Sequence, residues 1–469
     1  MTGAAGSSFR ERAEVQLANA RMRANVAVAV DQRERGRRAI FDGLDHAGLV
    51  GAAQAIRDHT LARLDRYLGE FARNAEARGT KVFFAADAAE AVGYVRDLLA
   101  ARGVRLVAKS KSMVTEEIEL NRGLAEFGAE VVETDLGEYL VQLAGEAPSH
   151  ITAPAVHMSR GEIAALLSRR HGRRLPEDPE ALTGFVRGVL RETFLAAGVG
   201  ISGVNFAVAE TGSFVTVTNE GNGRMVTSLP PVHVAIMGME RIVPSFRDLG
   251  LMLPMLVASS VGRPVTAYLS FVNGPRRPGE VDGPEEVHVV VLDNGRSAIL
   301  RSAYRSVLRC IRCGACQNVC PVYRQVGGHG YGSVYAGPIG AVVTPLLQGL
   351  DRAGDLPFAS SLCGACDEVC PVGIPLSGHL LRLRADAVRG KGLADPETAA
   401  WRAWAAAWRR PETYRLTGLV ARLGQLPLAR GGRISRAPFP LSRWTGGRDL
   451  PAVAGETFRA RWERRLRRG

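Results

Sequence analysis

Long apolar runs are missing from this sequence. No window approaches the roughly 18 uncharged apolar residues that a membrane-crossing helix needs. The best stretch, LMLPMLVASSVGRPVTAYLSFV, carries Arg263 and two prolines. An export-type apolar segment is missing too, because charge interrupts the opening MTGAAGSSFRERAEVQLANARMRANVAVAV throughout. The expectation is a chain kept in a reducing cytoplasm, where structural disulfides are rare. Cysteine is scarce, with seven in 469 residues, and an odd count does not pair into disulfides. Histidines at metal-binding spacing are lacking as well. His150, His157, His233, His329 and His379 are scattered and read as core or surface residues. Tryptophan is absent until Trp401, after which Trp401, Trp404, Trp408, Trp444 and Trp462 follow.

What is present is unevenly distributed. Hydrophobic residues make up 46% of the chain, which excludes a disordered composition. The length predicts two to four domains. Of the net charge of +13, the first 390 residues hold only +2 and residues 391–469 hold +11. This break sets off a basic, tryptophan-rich C-terminal domain over 391–469.

Residues 1–69 read as an N-terminal helical segment, with apolar residues at helical spacing continuing to about residue 76. Residues 70–298 read as one α/β domain with a mostly parallel sheet covered by helices. Its strands are KVFFAA, VRLVAK and AEVVETD, with DAAEAVGYVRDLLAARG and MVTEEIELNRGLAEFG as the helices between them. Further on, NFAVAETGSFVTVTNEGNGRMVTSL reads as strands joined by tight turns, with Asn222-Gly223 as a hairpin signal. HVAIMGM, VTAYLSFV and VHVVVLD add strands, and 273–286 is a loop rich in glycine and proline. Residues 299–390 read as a helical segment carrying all seven cysteines.

Those cysteines carry the chemistry. Residues 310–321 fit C-x2-C-x2-C-x3-C-P, the spacing of cubane iron–sulfur sites. Gly314 permits close backbone approach, and Pro321 directs the chain away after the fourth thiolate. Fifty residues later CGACQNVCPV returns as CGACDEVCPV, identical at eight of ten positions. Ser360 stands where the counterpart of Cys310 would fall. In two-cluster proteins the fourth cysteine of each run serves the other cluster. Cys310, Cys313, Cys316 and Cys370 then form a complete first site, and Cys320, Cys363 and Cys366 a second with three thiolates. Four outcomes are open for its remaining iron: loss to a three-iron cluster, water, a Ser360 or Asp367 oxygen, or a partner's ligand. Structural zinc prefers two separated C-x2-C pairs and fits poorly. The 42 residues between Cys320 and Cys363 exceed the gap of a compact ferredoxin and predict a helical two-cluster module. Arg309 and Arg312 flank the first run, either raising its potential, docking an acidic partner or simply solvated.

Other motifs carry less. GVGISG at 198–203 matches a dinucleotide fingerprint but follows a helix and precedes a strand, so it reads as a helix-to-strand turn. KSKSM at 109–113 sits between strand and helix, where Lys109 and Lys111 suit an anion; a solvated, capped loop is the plainer account. Glu210 and Glu220 lie beside glycines. Glu220 reads as part of a turn, and Glu210 as the better acid–base candidate. Trp401, Trp404 and Trp408 share one helical face that suits a membrane surface, the protein's own body or a partner. The arginine-rich end suits nucleic acid, the last-ranked reading, since no recognition fold accompanies it.

Over nearly its whole length the sequence resembles the lactate-utilisation protein B family. The resemblance rests on DHTLARLDRYLGEF, KSKSMVTEEIELN, EVVETDLGEYLVQL, PSHITAPAVH, ETGSFVTVTNEGNGRMVTSLPP and GGHGYGSVYAGPIGAV, together with both cysteine runs. It implies a lactate-utilisation (LUD) domain similar in fold to NagB/RpiA phosphosugar isomerases and CoA transferases. A helical ferredoxin-type domain with two [4Fe-4S] clusters and a family-specific, mostly helical tail follow. The family's seven cluster cysteines fall on Cys310, Cys313, Cys316, Cys320, Cys363, Cys366 and Cys370, so the absent eighth is typical of it. Members act with two partner proteins in oxidising L-lactate to pyruvate without a soluble nicotinamide cofactor. The expected role is an electron-transfer subunit rather than a standalone enzyme. The alternative is a LUD-domain catalyst on a small anionic metabolite, using Lys109 and Glu210, with the clusters as a redox sensor.

Overall fold

The computed structural model of the chain describes residues 7–390, 395–439 and 441–467. Residues 1–6 of the expected N-terminal segment, and 391–394, 440 and 468–469 of the expected tail, lie outside the described residues. The chain divides into two compact units between Ala385 and Asp386.

Four helices open the first unit: α1 (Phe9–Leu17), α2 (Ala20–Phe41), α3 (His46–Ala62) and α4 (Leu64–Glu76). Ser8 and Glu11 form a reciprocal cap at the start of α1. Met22, Val26 and Val30, four residues apart, give α2 a buried stripe. That helix packs on the helix Phe246–Val261 and on the cysteine-bearing helix Ala315–Val319.

The α/β part is built on strands β1 (Lys81–Ala85), β2 (Leu106–Lys109), β3 (Glu130–Glu133), β4 (Val199–Gly203), β5 (Phe206–Val208), β6 (Ser213–Thr218), β7 (Val232–Gly238), β8 (Ile242–Val243), β9 (Tyr268–Val272) and β10 (Glu286–Leu292). Six form a parallel sheet in the order β1-β10-β7-β4-β2-β3. All seven residues of β7 are buried, as a central strand covered on both faces requires. Ala235 and Met237 join one core, and Val232, Val234 and Ile236 the other. From β2 the chain steps outward to β3, then crosses back to β4 and continues through β7 to β10. The direction of winding therefore reverses between β2 and β4.

Strands β5, β6, β8 and β9 do not extend that sheet. They form a second one, β8-β5-β6-β9, with antiparallel pairs β5–β6 and β6–β9. Asn222-Gly223 is not a hairpin turn: it begins the helix Asn222–Ser228. That helix lies on β4 so closely that a Cβ on Gly200 would sit 2.0 Å from the Val226 carbonyl oxygen. The GVGISG stretch is accordingly strand β4 itself after a turn at Gly198, and its glycine serves helix–strand contact. MVTEEIELNRGLAEFG, expected as one helix, is two, Met113–Glu117 and Leu120–Glu126, separated by left-handed Glu119. Glu116 and Glu117 before the break enter ion pairs with Lys109 and Arg296.

The cysteine segment is helical between its runs, as expected, with the longest helix over Gly337–Gln348. It shares one apolar core with the N-terminal helices and the second sheet. The stretch Ser149–Ile151 braces it. Tyr323 Oη donates to the Ser149 carbonyl at 2.7 Å, the Ile151 amide to Gln317 at 3.3 Å, and Gln317 to the Ala336 carbonyl at 2.9 Å. A Cβ on Gly328 would lie 2.0 Å from the Ser149 carbonyl oxygen, which accounts for glycine in GGHGYG.

The second unit holds helices Pro396–Trp408, Pro411–Gly424 and Phe458–Leu466 and a short strand pair, Arg433–Ile434 with Leu450–Pro451. Trp401, Trp404, Trp408 and Tyr414 contact one another in series, and all four remain about half exposed. Among the described residues, no helix is long and apolar enough to cross a membrane.

Candidate metal centre

The two cysteine runs fold into matching loops. In the first, Arg312 and Gly314 have φ of 59° and 79°; in the second, Leu362 and Gly364 have 56° and 82°. Alternating left-handed residues turn successive amides toward one side, forming a concave nest for a negative group. The Arg312 amide donates to Cys310 Sγ at 3.4 Å, and the Leu362 amide donates to Ser360 Oγ at 3.1 Å. Ser360 thus takes the place of Cys310 in the second loop. The Tyr323 amide donates to Cys320 Sγ and the Ile374 amide to Cys370 Sγ, at 3.5 and 3.3 Å.

The thiols gather in two groups that exchange members between the runs. Burial raises the Cys313 and Cys316 thiols, and charge on Cys310 and Cys370 raises both further. Burial pushes Cys370 up to about 11, with Cys310 acting in the same sense. The charge of Cys363 acts on Cys320, and that of Cys320 on Cys366, which burial pushes up to about 12. All seven cysteines are free thiols, and Cys363 is the exposed one. Asp367 lies beside the second group: Cys366 Sγ donates to its Oδ1 at 3.6 Å, and the Ser377 amide donates to the same oxygen at 2.9 Å at the start of the helix Leu376–Gly390.

Neither flanking arginine is merely solvated. Arg309 clasps Asp58 on α3 through two hydrogen bonds of 2.6 and 2.7 Å and donates to the Gly373 carbonyl in the second run. Arg312 lies 4.0 Å over the Tyr335 ring and reaches Glu240 at 3.4 Å. Its burial removes it from any role in docking an acidic partner. It closes a buried ring: Tyr335 Oη donates to Glu117 at 2.5 Å, Arg296 holds Glu117 and Glu240 at 2.8 Å each, and Glu240 returns to Arg312. Arg57 and Arg241 lie beside it, and the Cys310 charge acts on Arg57, Arg241 and Arg312. Four buried guanidiniums face two carboxylates. Such an excess is unfavourable unless an anion completes it, and a thiolate-bound cubane is an anion. The donor set and its surroundings therefore fit iron–sulfur clusters.

The anion-site candidates separate. Lys109 is fully buried and bound to Glu133 and Glu116. Glu210 accepts the Phe246 amide at 2.7 Å at the start of the helix Phe246–Val261. Neither lines a cavity of about 560 Å³ at the carboxyl ends of β2 and β4, whereas Lys111 and Glu220 do. Burial first, then neighbouring Asp135, pushes the Glu220 carboxyl up to about 7. The preference for Glu210 over Glu220 is thereby reversed. Arg241 and Arg312 also line this cavity; only the fold shows Arg241 there.

The histidines are mostly internal. His150 bonds Asn318, His233 bonds Ser202 and His379 bonds Ser306. His157 and His329 correct the expectation of scatter, since with Glu146 their ligand atoms lie within 4.8 Å of one another. Hydrogen bonds account for the group: His157 pairs with Glu146 at 2.7 Å and His329 donates to the Ala147 carbonyl at 2.7 Å.

Three family models match the chain in succession. The LUD domain family model matches residues 68–292, and the 4Fe-4S dicluster domain model matches 306–374. The model for the lactate utilisation protein B C-terminal domain matches 382–467. Lactate utilization protein B of Bacillus licheniformis is 48% identical over 466 residues, covering 97% of this chain and 96% of its own length. Its namesake in Bacillus subtilis is 47% identical, covering 96% and 95%. The uncharacterized electron transport protein YkgF of Escherichia coli is 46% identical, covering 97% and 96%. The crystal structure of a duf162 family protein from Deinococcus radiodurans aligns with 49% of this chain and 98% of its own, at 16% identity and a TM-score of 0.27. By its matching domains and by its full-length likeness to these relatives, the chain belongs to the lactate utilisation protein B family.

Proposed function

We propose that the chain is the iron–sulfur electron-transfer subunit of a system that oxidises L-lactate to pyruvate without a soluble nicotinamide cofactor. The crossed grouping of the seven thiols carries this reading. Cys310, Cys313, Cys316 and Cys370 hold the first cluster, and Cys320, Cys363 and Cys366 the second. Bound there, cubane clusters supply one-electron transfer. The chain's own residues do the rest. The left-handed loop positions aim amides at the sulfurs, and Arg57, Arg241 and Arg312 neutralise the first group. The shared apolar core buries five of the thiols, leaving Cys310 half-buried and Cys363 exposed. Lactate oxidation releases two electrons and two protons, and that step is assigned to a partner protein; the family resemblance supplies two partners.

The experiment is visible spectroscopy of the anaerobically reconstituted protein. L-lactate should bleach the cluster absorbance only when the partner proteins are present. Bleaching of the single protein by lactate, or none with the partners, rejects the reading.

Ser360 Oγ is our candidate for the remaining position of the second site, because it accepts the hydrogen bond that Cys310 Sγ accepts in the first loop. Ser360→Cys should complete a four-thiolate set and change the second cluster's EPR signal. An unchanged signal would show that the crossed assignment is wrong.

A further inference from the structure

The cavity at the carboxyl ends of β2 and β4 plays no part in holding the thiols, yet it is built as a binding site. It lies where the winding of the parallel sheet reverses, the place where open α/β sheets take their ligands. Its volume of about 560 Å³ is that of a small-molecule pocket. The polar atoms that line it are short of partners. Arg241 Nε, Arg312 Nη1, Lys111 Nζ, Thr216 Oγ1 and Asn222 Oδ1 are all buried without a hydrogen bond. They come from five separate places in the chain, and Arg241, Thr216 and Asn222 are each at most 5% exposed. Buried polar atoms left without partners are costly, and so many converging on one space imply a ligand that satisfies them. Apolar residues, among them Val204 and Leu256, complete the wall.

The lining also fixes the sign of that ligand. Arg241 and Arg312 belong to the arginine-rich group in which Glu240 is shared with Arg296. Lys111 stands 3.5 Å from Glu138, and Asp135 and Glu220 line the same cavity. Whatever charge the first cluster offsets, Arg241 Nε and Arg312 Nη1 remain donors without a hydrogen-bond partner, and they mark the cationic wall of the cavity. Arg312 belongs to two places at once: its side chain lines the cavity, and its amide donates to Cys310 Sγ.

We infer that this cavity binds a small organic anion, its carboxylate or phosphate group held by Arg241 and Arg312, and that its occupancy is felt by the first cluster through Arg312. An anion placed there adds negative charge beside the thiol group, disfavours the reduced cluster and lowers its potential. The binding half goes beyond the electron-transfer role and stands without it, since binding is read without partners or turnover; the coupling half rests on the first cluster proposed above.

The test is titration calorimetry on the reconstituted full chain, with L-lactate, pyruvate and inorganic phosphate as separate probes. The first cluster's midpoint potential is measured with and without each. Saturable binding of a carboxylate or of phosphate is expected, and which probe binds identifies the ligand's anionic group. Arg241→Gln should weaken binding about tenfold or more, the loss of one charge-assisted hydrogen bond, and Arg241→Lys should restore part of it. The bound probe should lower the potential of the first cluster and leave that of the second in place. If Arg241→Gln loses iron, Lys111→Gln replaces it, with weakened binding at full iron content expected. Three results overturn the inference: no saturable binding by any probe, affinity unchanged in the variant that keeps its iron, or a first-cluster potential indifferent to the bound probe.

Discussion

Replacing Cys313 with serine should abolish the first cluster and lower the iron content of the reconstituted protein by about half, the share of one cluster in two. Cys313 is buried between left-handed Arg312 and Gly314, and the charges of Cys310 and Cys370 act on it. Serine keeps the loop's size but offers a harder oxygen in place of a thiolate. The second group shares none of these residues, so its EPR signal should survive. Iron and sulfide analysis with EPR checks this, and circular dichroism confirms that the variant is folded. Iron at the parent level, or loss of both signals from a folded variant, contradicts the grouping.

The second large effect is expected from Glu240→Gln. Glu240 is the carboxylate that Arg296, Arg312 and Arg241 share, and it is 2% exposed. Removing it leaves buried guanidiniums unpaired, a change that costs on the order of 3–5 kcal/mol. Urea unfolding should show it as a lower midpoint at unchanged slope. Burial alone would raise the Glu240 carboxyl, but Arg296, Arg241 and Arg312 outweigh it and hold it at about 2, below its ordinary 4.5. A depressed carboxyl stabilises the fold above its unfolded value, and that stability is lost as pH falls from 4.5 toward 2. The gap between parent and variant should therefore be full at neutral pH and shrink through that window. A gap independent of pH removes Glu240 as its source.

The dicluster domain was legible because its cysteines repeat at short, fixed spacing, and a second copy exposes the register. Strands such as VHVVVLD were legible because a central parallel strand must be apolar on both faces. The misreadings have physical causes. Asn222-Gly223 has hairpin chemistry, but a Cβ on Gly223 would lie 2.6 Å from Thr218 Cγ2, and its segment packs as a helix on glycine-bearing β4. Glu210 was favoured over Glu220 because of its place beside a strand, yet the fold spends Glu210 on capping a helix and turns Glu220 into a cavity. Lys109 and Lys111 read alike on paper; the first ends strand β2 and is buried against Glu133, whereas the second follows in the loop at the cavity wall. The arginine ring was invisible, since Glu117, Glu240, Arg296, Arg312 and Tyr335 come from five distant stretches with no shared motif.

That ring has a consequence for descent. Three of its members sit in the α/β part and two in the cysteine segment, so each half carries charges that are tolerable only beside the other. Shuffling either half between lineages would strand its share of them, and the two should accordingly have been inherited as a single block.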